Sequence, residues 1–108
     1  MNAWLLLLLA GICEIGWPLG FKLAQSAEHR SLYFAFSAIS MGISGWLLFT
    51  AQKSIPIGTA YAAWTGIGAA GAFMVGVALF GDALNMGRLL GVSMIVGGVV
   101  VLKTTGGS

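Results

Sequence analysis

Three carboxylates occur in the chain: Glu14, Glu28 and Asp82. Glu14 stands apart because the residues on both sides of it, 1–13 and 15–21, carry no charge. If that stretch lies in a membrane, an ionised carboxylate there costs about 2.5–3.5 kcal/mol on insertion scales and marks a functional site by default. It escapes the cost by taking up a proton or by pairing with a cation. A group that does each in turn is able to exchange the two across a membrane. The structural alternative is a protonated glutamate that bonds across a helix interface.

At 100° per residue Leu7, Ala10, Gly11, Glu14, Trp17, Pro18 and Phe21 share one helical face. Ala10 and Gly11 leave room beside the carboxylate. Trp17, one turn on, offers an indole face for a cation–π contact; its alternative role is an interfacial anchor. Pro18 is expected to kink the helix. Ser37, Ser40 and Ser44 form a second polar stripe, and Ser44 is expected at the depth of Glu14. Ser37 reads better as a bond to its own or a neighbouring helix. Tyr61, Trp64, Thr65 and Gly68 make a third face, with two polar-tipped aromatics to wall an ion or simply to pack. Gly66 and Gly68 mark the expected hinge. Gly68, Ala72 and Gly76, and separately Gly91 and Gly98, are spaced for close helix–helix contact. The last pair is expected at a dimer seam.

The elements that position these residues follow from the charges. The uncharged runs are 1–13, 15–21, 31–52, 54–81 and 89–102. About 20 apolar residues cross the hydrocarbon as a helix, so four spans are expected, at about 3–21, 32–51, 57–80 and 84–102. The first is long enough only with Glu14 inside it. The last needs Arg88 to snorkel to the headgroups. Pro56 suits a helix's first turn. The fold class is therefore an all-α membrane protein, with residues 1–108 as one four-helix domain.

Composition excludes the soluble alternatives. The chain has 108 residues, of which 58% are hydrophobic and 7% charged, with a mean hydropathy of +0.96. A soluble domain carries about 25% charged residues, and one this small leaves much of its surface in water. A soluble enzyme and a nucleic-acid-binding domain are both excluded. With one cysteine, Cys13, and one histidine, His29, neither a disulfide framework nor a metal centre is expected, and no cofactor is. Segment 1–13 lacks the basic start and cleavage signal of a leader and reads as a retained helix, with Cys13 as a packing residue. Four spans place Lys53 and Lys103 on one side and Lys22, Arg30 and Arg88 on the other. Two against three is almost no bias for a rule that orients by Lys/Arg excess.

The segments PIGTAYAAWTGIGAAGA (56–72) and AGICEIGW (10–17) closely resemble the third-helix and first-helix signatures of the small multidrug resistance transporters. The resemblance covers essentially the whole chain. Trp17 three residues after the glutamate, WTGIGA at 64–69 and Lys103 closing the last span are similar to the guanidinium-exporter branch. Pro18 departs from it, since that branch more often has a small residue there. The resemblance implies an antiparallel homodimer in the bacterial inner membrane that exchanges protons for a small cation. Glu14 would be its central residue, with Trp17, Ser44, Tyr61 and Trp64 around it. The expected function is proton-coupled export of guanidinium, without enzymatic activity. The alternatives are a polyspecific exporter of quaternary-ammonium or other hydrophobic cations, and a structural membrane subunit.

Overall fold

A backbone that crosses hydrocarbon must satisfy its own N–H and C=O groups, and this chain does so with helices. The computed structural model describes residues 2–25 and 28–105. They form α1 (Ala3–Glu14), α2 (Gly16–Ala24), α3 (Arg30–Ala51), α4 (Ile57–Phe80) and α5 (Met86–Thr105). The first two run nearly end to end as one span of 22 residues. The other three have 22, 24 and 20, and all four spans are long and apolar enough to cross a bilayer.

The junction of α1 and α2 has a covalent cause. Pro18 has no N–H to give the carbonyl of Glu14, four residues back, and its ring crowds that carbonyl. The α hydrogen-bond ladder is interrupted at Ile15, whose backbone stays in the α region at φ −64° and ψ −29° while its N–H bonds to Ile12 O at 3.2 Å. It resumes with Leu19 N–H on Ile15 O at 3.1 Å. Glu14 is thus the last residue of α1.

The helix ends are built from short polar residues. Asn2 Oδ1 accepts the Trp4 N–H at 2.8 Å, which caps α1. Asn85 Oδ1 accepts the Arg88 N–H at 3.0 Å before α5. Gly81 closes α4 at φ +67°, a left-handed conformation that glycine adopts without strain. Cations sit over rings near the ends of the spans: Lys53 over Phe49, Arg88 over Phe73 and Lys103 over Trp4, at 5.5, 5.1 and 5.6 Å from the centroids.

Helix association in hydrocarbon relies on close packing rather than on excluded water. α1 packs on α3 and α4, α2 packs on α3, and α5 packs on α4. Glycines make these approaches. A Cβ on Gly16 or Gly20 would collide with Ser40 or Ser37 of α3. One on Gly11 or Gly71 would collide with Ile67 or Ile15 across the α1/α2–α4 contact. The best-packed core, Leu7, Ala51, Ile55, Ala60 and Ala63 with Trp4, Leu48 and Trp64 against it, gathers toward the end of the bundle that holds the 52–56 turn. None of α5 is buried. Its outer residues, and Leu32, Phe36, Ile39, Ile43 and Trp46 of α3, are exposed on surfaces that suit lipid.

Gly20 should therefore be needed for stability, because its Cβ would meet Ser37 Oγ and lie 2.9 Å from Tyr33 O, whereas one on Gly42 meets nothing within 4 Å among the described residues. Gly20→Ala is expected to lose about 1–3 kcal/mol, as overpacking does. Gly42→Ala is expected to lose nothing. Reversible unfolding in mixed micelles, followed by far-UV circular dichroism, measures both. Equal stability of the two variants would contradict the packing described.

Candidate functional site

The break after Glu14 and the glycine opposite it place this side chain together. Its stem lies flat on α4 at Gly68, where a Cβ would come within 2.8 Å of Glu14 Cγ and 3.2 Å of its Cβ. A larger residue at 68 would push the carboxylate away. Glu14 is half-buried as a residue. Its Oε1, however, is shut off from solvent and has no hydrogen-bond partner among the described residues. An unpartnered buried polar atom of this kind is costly and calls for an explanation.

The next turn of α1 toward the N-terminus is held by one hydroxyl. Ser44, fully buried, donates to Ala10 O at 2.6 Å. It accepts the indole Nε1–H of Trp64 at 2.8 Å. Ala10 O is the carbonyl that accepts Glu14's own amide in a regular helix. Ser44 therefore fixes the backbone that presents the carboxylate and joins α1, α3 and α4. The sequence places Ser44 at the depth of Glu14; the hydroxyl's hydrogen bonds go to the Ala10 carbonyl and the indole.

The aromatic residues fall into two groups. On α4, Tyr61 and Trp64 stand with centroids 5.4 Å apart at 56°; Tyr61 is more than half exposed. On α2, Trp17 meets Phe21 edge-on at 5.6 Å, and Phe21 meets Phe34 of α3 at 5.8 Å. The Trp17 carbonyl accepts the Ser37 hydroxyl at 2.9 Å, which ties α2 to α3. Thr65 bonds back to Tyr61 O at 2.8 Å, within its own helix.

The glycines separate by direction. Gly66 faces α5, where a Cβ would lie 2.7 Å from Val99 Cγ2, and Gly68 faces Glu14. α4 runs unbroken through both. A Cβ on Gly91 or Gly98 would meet nothing within 4 Å among the described residues, so their side of α5 is open. Sequence reasoning missed the Gly16/Gly20 contact with α3, although the small-xxx-small spacing was there to find. It also missed the Ala10 carbonyl as Ser44's partner, and no side-chain pattern signals a backbone acceptor.

A family model described as "Small Multidrug Resistance protein" matches residues 2–95. The chain belongs to that family. It is similar to proteins named "Guanidinium exporter" across nearly their full lengths. It is 42% identical over 101 residues to the one from Salmonella typhimurium, covering 94% of this chain and 95% of the relative. It is 41% identical to that of Escherichia coli K12, with the same coverage. With the relative from Yersinia pseudotuberculosis the identity is 39%, over 94% of this chain and 96% of the relative. Family membership and four membrane-crossing helices make this a multi-pass bacterial membrane protein. In this member of the family, Glu14 Oε1 is a buried oxygen inside the first span without a hydrogen-bond partner among the described residues.

The Ser44 node yields a measurable coupling. Ser44→Ala leaves the Trp64 N–H without its partner, and Trp64→Phe removes the donor while keeping a ring. Each variant is expected to lose about 1–3 kcal/mol of stability. The double variant should lose less than the sum by about 0.5–1.5 kcal/mol, as residues in one hydrogen-bond network do. A double-mutant cycle in mixed micelles tests this; strict additivity would contradict the shared bond.

Proposed function

We propose that this protein is a proton-coupled antiporter that exports guanidinium and small substituted guanidinium cations across the bacterial inner membrane, with Glu14 as the shared site of proton and cation. The observation that carries the reading is the Glu14 Oε1 atom, buried and without a hydrogen-bond partner among the described residues. In a low-dielectric surrounding that oxygen needs a proton or a cation. One carboxylate does not hold both fully, and this exclusion is what couples the two flows. The names of the similar proteins support guanidinium as the cation.

The chemistry of the ion supports it too. Guanidinium is planar and weakly hydrated, and its N–H fork matches a carboxylate bidentately. Trp17, Tyr61 and Trp64 supply ring faces for a flat cation, and Ser44 fixes the backbone beneath the carboxylate. Exchange further needs a site that opens to one side at a time. Two antiparallel copies would make the two openings equivalent, as inverted repeats do in larger transporters. The near-absence of Lys/Arg bias favours insertion in both orientations. The open face of α5 at Gly91 and Gly98 offers the seam for such a homodimer. Gly66 and Gly68, which face α5 and Glu14, are where α4 would flex during the exchange.

A quaternary ammonium has no N–H donors. It forgoes charge-assisted hydrogen bonds worth about 1.5–3 kcal/mol each and keeps ring contacts worth about 0.5–2 kcal/mol. Currents recorded from proteoliposomes on a solid-supported membrane should therefore be robust for guanidinium and nearly absent for tetramethylammonium. Glu14→Gln, which keeps the shape and removes the charge, should abolish guanidinium-driven exchange in a protein that still folds. Equal currents for both cations would move the protein to polyspecific export. Full exchange by Glu14→Gln would leave a structural role for the glutamate.

A further inference from the structure

Between α1, α3 and α4, toward the 52–56 turn, Leu7, Ile55 and the alanines around them pack closely. Toward the opposite loops, α2 and α4 diverge around a cavity of about 190 Å³. Its inner end is Ile15, the residue after Glu14, and Pro18, whose missing amide causes the break. Its outer end is Lys22, Phe80 and Asp82. The space between is walled by apolar side chains such as Leu19 and Val75.

Two features mark the outer end. The first is the seating of Asp82. After the left-handed Gly81, its N–H turns back to Gly76 O at 3.1 Å. Its carboxylate lies over Gly76 so closely that a Cβ there would collide with Oδ2. A charged oxygen is thus folded down against the helix at the mouth of an apolar cleft. The second is Lys22, whose ammonium stands 6.0 Å from the centre of the Phe80 ring. A carboxylate and an aromatic face are the two elements that a small delocalised cation needs, and a tethered cation already rests near the ring. Apolar walls concentrate the field of such a carboxylate.

We propose that this cavity is an outer docking site for the transported cation, in which Asp82 accepts the ion, Phe80 offers its face and Lys22 is the tethered cation that the ion displaces. The ion then passes Ile15, whose side chain lies against Gly71 between the cavity and Glu14. The inference rests on the cation-export reading given above and adds a second binding residue to it. Asp82 would act on capture of the ion from solution, not on the exchange at Glu14.

Rates of guanidinium-driven exchange in proteoliposomes, measured against guanidinium concentration, test this. Asp82→Asn is expected to raise KM by about two- to fivefold at low ionic strength, the range in which an exposed ion pair acts, with turnover at saturating guanidinium retained. Asp82→Glu should restore most of the affinity. Raising the ionic strength from about 0.01 M to about 1 M shortens the screening length from roughly 30 Å to roughly 3 Å and should erase the difference. An unchanged KM in Asp82→Asn, a rise that salt does not reduce, or a loss confined to turnover would overturn the proposal. If the unaltered chain shows no guanidinium-driven exchange, the export reading itself fails, and this outcome is distinct from any result with Asp82.

Discussion

Hydrocarbon does not solvate a carboxylate, and this one constraint organises the molecule. Glu14 sits within a span whose one other charged residue is Lys22, near its far end, on a helix whose other residues include no charge. Its place depends on what surrounds it being small. Gly68 gives its stem a surface to lie on, and Gly11, one turn before it, lets α4 approach. No donor among the described residues reaches Oε1. A glutamate retained only to pack would be expected to find a donor, because protein interiors satisfy nearly all their buried polar groups. On the proposed reading, the unsatisfied oxygen is the site whose partner comes and goes.

The second constraint is that every backbone group in the bilayer must find its own partner. Pro18 breaks that rule at one place, the carbonyl of Glu14. The consequence is the Ile15 junction, which divides the first span into a half packed on both α3 and α4 and a half packed chiefly on α3. α1 is anchored by the Asn2 cap, by the core around Leu7 and by the Ser44 bond to Ala10. α2 is held on α3 through Gly16, Gly20 and the Ser37 bond to Trp17, and a cavity lies between it and α4. The carboxylate stands at the boundary between the two halves.

Much of this was legible in the sequence because membrane rules are blunt. The gaps between charges mark the spans, and a single acid within one of them stands out without any knowledge of fold. The role of Ser44 was harder to read. Its depth pointed to Glu14, but a hydroxyl bonds whatever acceptor lies within reach, and a backbone carbonyl has no signature in the sequence. The glycines show a similar limit. Spacing indicates that Gly68 and Gly76 face something, yet only the packing separates a glutamate stem from an aspartate carboxylate. Gly66, two residues from Gly68, faces α5 instead, because the helical turn carries it round to another side.

Competition of proton and cation for one carboxylate is the central claim. The most direct measurement is proton release from detergent-solubilised protein in weak buffer as guanidinium is added. Release should saturate with guanidinium and disappear in Glu14→Gln. Binding of guanidinium without proton release, or release that persists in Glu14→Gln, would contradict the claim.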